Sequence, residues 1–180
     1  MTGAPREPLG TGKCFFNDTA TPEIYPLSLH DALPIYNTPL EWVAPIADIL
    51  GGFDLDPCAS ASSDLAAHNI RESGGLDADW SRYKTVWCNH PYGRGEPAQW
   101  LRKAAESDCE TVVTLSKGDP STDWFQRYLT DATVLCFPDE RITFIGEANS
   151  AKFANVFGVF GECPDALARW FDEQGWVVRP

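Results

Sequence analysis

The residues with the most chemical promise are four in a row, Asn89-His90-Pro91-Tyr92. An Asn side chain offers a carbonyl oxygen that accepts hydrogen bonds, and the backbone carbonyl of the next residue offers a second acceptor. Two acceptors side by side can hold an exocyclic amine. His90 and Pro91 stiffen the turn. Tyr92 then presents a flat face on which a base drawn out of its helix can stack, a contact worth about 1–3 kcal/mol. A second run, Asp56-Pro57-Cys58, closes the segment FDLDPC and sets a carboxylate at a stiff corner. Taken singly, Asp56 serves as well as a turn former before Pro57, and Tyr92 as an ordinary exposed loop aromatic.

Other candidates carry less. His68 lies in a polar stretch and reads as solvated. Arg94 suits a phosphate, a cofactor carboxylate or a local pair with Glu96, while Asp77 and Asp79 suit either a ribose or a solvated turn. Asp119, Asp123 and Asp131 form an acidic face. Trp80 and Trp87 read as core, and Trp100, Trp124, Trp170 and Trp176 as buried helix-face aromatics. The six Cys, at 14, 58, 88, 109, 136 and 163, contain no CxxC pair. That spacing supports neither a zinc site nor a disulfide framework and suits buried thiols, so no metal is expected.

These residues need elements to hold them. Leu40, Val43, Ile46, Ala47 and Leu50 recur at helical spacing after Thr38-Pro39, and Gly51-Gly52 ends that helix. FDLDPC and TVWCN read as short strands that stop in unusual loops. ASASSDLAAHNIRES reads as partly helical. PAQWLRKAAES and STDWFQRYLTD are helices, the first with Pro97 in its opening turn and the second capped by Ser121 or Thr122. ETVVTLS, ATVLCFP, ERITFIG and FANVFGVFG supply strands, and DALARWFDEQG a late helix. Strands alternating with helices predict an α/β protein, a largely parallel sheet with helices on both faces. Ligands of such sheets sit outside the C-terminal strand ends at a topological switch point, where FDLDPC and VWCNHPY end.

Several motifs occur in a telling order: Thr38-Pro39, the block GGFDLDPCAS from Gly51 to Ser60, Gly75-Leu76 with Trp80, and VWCNHPYGR from Val86 to Arg94. The last resembles the N-P-P-Y loop of amino-group DNA methyltransferases. Over roughly residues 36–161 the chain is similar to the compact phage-type DNA N6-adenine methyltransferase family, whose second half DWFQRYL and ERITFIG also resemble. The resemblance implies a Rossmann-like class I S-adenosylmethionine-dependent methyltransferase, a phage or prophage origin, and double-stranded DNA as partner. It implies that Asn89 and the carbonyl of residue 90 hold the target amine, that Pro91 shapes the loop, and that Tyr92 stacks on the flipped adenine. Asp56, Pro57 and Cys58 would form the S-adenosylmethionine loop, with Asp56 the main contact and Tyr36, Thr38 and Pro39 near the methionine end. N4-cytosine chemistry uses the same loop, and a domain that binds without transferring is the other alternative. The sequence departs from the family pattern at position 90, with His for Pro, which costs Pro-Pro rigidity and sets an imidazole beside the amine site.

Two features bear on context. Residues 17–35, NDTATPEIYPLSLHDALPI, resemble the conceptual translation of a common sequencing adapter, with Pro22 and Pro26 where that has Thr. Residues 1–35 are therefore expected to be non-native or disordered and residues 36–180 to be the methyltransferase domain. The net charge of −12 is the opposite of a typical nucleic-acid binder. An acidic surface with more Asp than Glu and more Arg than Lys suits a halophilic host, where salt screens repulsion from phosphate. The apolar runs are too short for a membrane span. The opening MTGAPREPLGTGK lacks a secretory apolar run, which points to the cytoplasm.

Overall fold

Alternation along the strands divides the apolar side chains into two clusters, one on each face of a single seven-stranded sheet. In the computed structural model, residues 36–180 other than Glu72 and Arg94 are described. The strands are β1 (Phe53–Asp56), β2 (Ala66–Asn69), β3 (Thr85–Cys88), β4 (Thr111–Lys117), β5 (Val134–Pro138), β6 (Asn155–Gly161) and β7 (Gly175–Val178). Their order across the sheet is β2-β1-β3-β4-β6-β5-β7. Pairings from β2 to β4 are parallel, whereas β4–β6, β6–β5 and β5–β7 are antiparallel. The sheet is thus mixed, with five strands running one way and β6 and β7 the other.

Four helices cover it: α1 (Leu40–Leu50), α2 (Glu96–Glu106), α3 (Asp123–Tyr128) and α4 (Asp165–Gln174). Trp42, Val43 and Ile46 of α1 and Leu167 and Phe171 of α4 pack with Trp87, Val113, Leu115 and Phe157 on one face. Trp100, Leu101 and Ala104 of α2 and Phe125 of α3 pack with Val86, Cys88, Val112 and Val156 on the other. Consecutive residues of β3 therefore look in opposite directions, as the pleat requires. Helix α1 ends as its glycines predict. Gly51 is left-handed at φ +76°, and the N–H groups of Gly51 and Gly52 return to the carbonyls of Asp48 and Ala47.

Some elements differ from the sequence reading. Residues 66–69 form an edge strand rather than a helix, paired in parallel with β1 through Phe53↔Ala66 and Leu55↔His68; an edge needs only one partner and tolerates polar side chains. ERITFIG is irregular. Ile142 and Phe144 are buried as a strand's alternation demands, but both sides of β5 are already taken by β6 and β7. The segment's pairing is one bridge, Ile145 N–H to the Asn37 carbonyl at 2.9 Å. Thr122 sits at the α3 N-cap position, yet its hydroxyl bonds the Asp119 carbonyl. Trp176 lies on β7, 69% exposed, stacked on Phe137. No described helix is long and apolar enough to cross a membrane. Residues 1–35, where the adapter-like segment falls, and Arg94 lie outside the described residues.

Candidate active site

The chain leaves β1 to pair β2 on one side of it and returns as β3 on the other, so the switch point lies between β1 and β3. The two loops singled out in the sequence leave the sheet side by side at that point. Their aspartates divide the work. Asp54 accepts the backbone N–H groups of Lys84 and Thr85 at 2.9 and 3.1 Å and so ties β1 to the start of β3. Asp56, at the far end, is buried beside the loop and accepts the Cys58 N–H at 3.1 Å. Burial pushes its carboxyl up to about 6, against the pull of the Cys58 N–H.

Asn89, 5% exposed, is held on three sides. Its Nδ2 donates to the Tyr36 carbonyl and to Thr38 Oγ1 at 3.0 Å, and its Oδ1 accepts the Tyr92 hydroxyl at 2.9 Å. Tyr36, Thr38, Asp56, Cys58 and Asn89 line one small cavity of about 10 Å³, together with Ser60, Ser63 and Trp87. The structure therefore gathers the predicted Tyr36, Thr38, Asp56, Cys58 and Asn89. Pro39 and Pro57 stand outside this lining. Pro39 accepts the Trp42 and Val43 N–H groups at the start of α1. The Pro57 carbonyl packs on Gly75, where a Cβ would come within 1.8 Å of it.

A second cavity of about 460 Å³ opens on the other side of Tyr36, between Phe144, Phe153 and the loop of Glu147, Asn149, Ser150, Ala151 and Lys152. The Tyr92 ring adjoins it, 5.9 Å from Tyr36, 6.2 Å from Phe144 and 5.4 Å from Phe153. Lys117 Nζ lies 4.9 Å from the Phe153 ring and donates to the Tyr92 carbonyl at 3.3 Å. Tyr36 is thus a wall common to both cavities, with the Asn89 amide bonded to its carbonyl. The Tyr92 hydroxyl is buried, which pushes its pKa well above the usual phenol range.

His90 corrects an expectation. The imidazole is turned into the core and fully buried, edge-on to the Tyr92 ring at 5.5 Å between centroids, with both ring nitrogens engaged by protein groups rather than presented to the amine site. Nε2 lies 2.8 Å from Ser116 Oγ and Nδ1 2.9 Å from the Pro91 carbonyl. A carbonyl only accepts, so Nδ1 carries the proton and Nε2 accepts from the Ser116 hydroxyl. Burial pulls the imidazole down to about 4, helped by the Lys117 charge, and leaves it neutral at ordinary pH.

The other candidates sort away from the site. Asp77 and Asp79 line a separate cleft of about 520 Å³ with Arg102, Lys103 and Asp108, where Asp79 caps the turn Trp80–Arg82. Asp119, Asp123 and Asp131 are exposed. The described cysteines are free, with Cys58 and Cys88 Sγ 3.7 Å apart, and no cluster of three or more His, Cys, Asp or Glu suited to a metal occurs among the described residues. The sequence reading missed Phe144, Phe153, Lys117 and Ser116. The available signals were two aromatics flanking a short polar loop and a lone Ser-Lys step ending a β-branched strand.

One family model, described as DNA N-6-adenine-methyltransferase (Dam), matches residues 29–158. That is more than half of the 180 residues, and it contains both loops and both cavities. No curated protein matches the chain.

Proposed function

The chain belongs to the DNA N-6-adenine-methyltransferase family, and from that premise we propose how its residues carry out the reaction. The protein is a DNA N6-adenine methyltransferase. The observation that carries the residue assignment is Asn89, which lines the small cavity and is held by Thr38, by Tyr92 and by the carbonyl of Tyr36, the residue common to both cavities.

We assign the methyl donor, S-adenosylmethionine, to the side of Asp56 within a Rossmann-like fold. The donor set fits it. Asp56 is a buried carboxylate that accepts the Cys58 N–H, and the Ser63 hydroxyl faces it in the same cavity. Acceptors of this kind suit ammonium and ribose hydroxyl groups. The cavity of about 10 Å³ is far smaller than a ligand pocket of roughly 300 Å³ or more, so binding requires its walls to part. S-adenosylmethionine supplies, when bound, an electrophilic sulfonium methyl. Tyr36, Thr38 and Pro39 would border its methionine end, and Pro57 and Cys58 would shape the turn beneath it.

The extruded adenine is assigned to the aromatic cavity lined by Tyr36, Phe144 and Phe153, with the adjoining Tyr92 ring turning aside to stack on it. Asn89 Oδ1 and the carbonyl of His90 would accept hydrogen bonds from the two N6–H groups. This draws the nitrogen lone pair out of the ring's conjugation and aims it toward the Asp56 side. With the donor bound, these residues would hold the N6 lone pair toward the methyl group it supplies, and the proton released from N6 would pass to water. Positioning in line dominates such a displacement. Pro91 holds the turn, the loop 146–152 is placed to read neighbouring bases, and residues 36–180 constitute the methyltransferase domain.

The test is transfer from labelled S-adenosylmethionine to unmethylated double-stranded DNA, followed by digestion to nucleosides. Label in N6-methyladenine, lost in N89A, supports the reading. Label in N4-methylcytosine would overturn the base assignment. A folded protein that binds the cofactor and transfers nothing would overturn the catalytic assignment.

A further inference from the structure

We infer that Ser116 is a positioning residue for methyl transfer, acting through His90 to fix the backbone of the Asn89–Tyr92 loop against β4. The inference rests on reading that loop as the one that holds the target amine. Ser116 is the sixth residue of β4, fully buried, and its side chain leaves the sheet on the face opposite Leu115 and Lys117. A buried hydroxyl and a buried imidazole are each costly unless paired. Here each satisfies the other at 2.8 Å, and the remaining ring nitrogen donates to the Pro91 carbonyl at 2.9 Å.

The loop is thereby gripped from both faces. Above, Asn89 is tied to Tyr36 and Thr38, Tyr92 to Asn89, and Lys117 to the Tyr92 carbonyl. Below, His90 bonds Ser116 of β4, the same strand whose Leu115 carbonyl accepts the Tyr92 hydroxyl at 3.3 Å from above. The carbonyl of His90 and the side chain of Asn89 must present two acceptors in a fixed relation, and none of the three side chains above the loop bonds the peptide at 90. The imidazole sets its orientation, because it bonds the next carbonyl in its own loop and the neighbouring strand at once. Rigidity that a second proline would supply covalently is supplied here by a side-chain strut.

The experiment combines S116A, S116T, H90P and S116A/H90P with methyl-transfer kinetics and imidazole ¹⁵N spectra of the full chain. S116A is expected to lower kcat on the order of tenfold with little change in the KM for S-adenosylmethionine, as a misplaced reacting group does. S116T, which keeps the hydroxyl, restores the rate. In H90P, proline fixes φ at 90 and holds Asn89 extended, so adding S116A changes kcat by less than about twofold. Equal losses from S116A in both backgrounds, or complete inactivity of H90P, would overturn the proposal. The spectra are read without activity. His90 is expected to be protonated at Nδ1 with a hydrogen-bonded Nε2 whose resonance moves in S116A. A proton on Nε2, or no movement, defeats the strut even if the kinetics agree. A wild-type chain that methylates no DNA defeats the functional reading, and the spectra still decide the strut.

Discussion

The hydroxyl of Tyr92 is bonded to Oδ1 of Asn89 at 2.9 Å, with the Leu115 carbonyl a second acceptor at 3.3 Å. The residue assigned to stack on the base therefore fills the acceptor assigned to its amine. Substrate must exchange one hydrogen bond for another, and the Tyr92 ring must turn as it takes up the stack.

Removing only the hydroxyl separates these roles. Y92F keeps the ring and leaves Asn89 Oδ1 free, so the KM for DNA should fall by about fivefold for a hydrogen bond worth about 1 kcal/mol. Y92A loses the stack, and its KM should rise by roughly 5- to 150-fold for about 1–3 kcal/mol. Steady-state methylation of a short duplex measures both. A higher KM in Y92F would mean that the hydroxyl touches substrate.

Asp56 makes a prediction of opposite sign for stability and for binding. Its folded-state pKa, about 6, lies above the ordinary 3.8. Such a group favours folding most below its unfolded pKa, and that contribution is lost as pH rises through about 6. A carboxyl raised that far corresponds to about 3 kcal/mol, so the ionised carboxylate burdens the ligand-free protein at neutral pH. D56N should raise the melting temperature at pH 7.5 by several degrees, at roughly 2–4 °C per kcal/mol for a domain of this size. The gain should nearly vanish at pH 4, where the carboxyl is neutral when folded. S-adenosylmethionine binding, followed by calorimetry, should be lost at both. An equal gain at both pH values would show that burial of charge is not its cause.

How far the sequence reached can be judged from these residues. Asn89, Tyr92 and Asp56 were legible because each stands where a short apolar strand breaks into a proline turn, a local signal. Trp80 and Trp87 were legible as core from their size and apolar surface. The direction of His90 was not, although the pleat that sends Trp87 and Cys88 to opposite faces extends to Asn89 and His90. Phe144 and Phe153 were hidden because their role arises from tertiary closure: a strand-like pattern at 140–146 met a sheet with no free edge beside β5. Residues 66–69 were misread because an edge strand draws its stability from β1 rather than from its own composition.

Gly75 links the fold to the cofactor side. A Cβ there would stand 1.8 Å from the Pro57 carbonyl oxygen and 2.8 Å from Trp100 Cη2. The first of these is backbone and cannot swing aside, so G75A should cost at least the roughly 1–3 kcal/mol of ordinary overpacking. Because the displaced atom belongs to the turn after Asp56, S-adenosylmethionine affinity should fall with stability. G51A is the comparison, since it strains a left-handed helix end away from that turn; it should lower the denaturant midpoint and leave cofactor affinity intact. Loss of affinity in both variants would show a global effect.

Charge supplies the last prediction. The chain carries −12 overall, yet its substrate is a polyanion. For an ordinary basic DNA binder, affinity falls steeply with salt because binding releases counterions. Here the positive groups near the aromatic cavity are few, Lys117, Lys152 and Arg141, which bonds the Ala151 carbonyl, among the described residues, and long-range repulsion opposes them. Raising the salt to 1 M shortens the screening length to about 3 Å, which removes that repulsion while leaving contacts at hydrogen-bond distance. The same screening relieves repulsion between acidic side chains within the fold. If the acidic surface is an adaptation to a salt-rich host, both the melting temperature and the affinity for DNA should rise between roughly 0.1 and 2 M KCl, as read by thermal unfolding and by anisotropy of a labelled duplex. Full stability in dilute buffer together with the usual loss of DNA affinity on adding salt would contradict it, and would mean that a small basic rim around Tyr92 governs encounter with DNA despite the net charge.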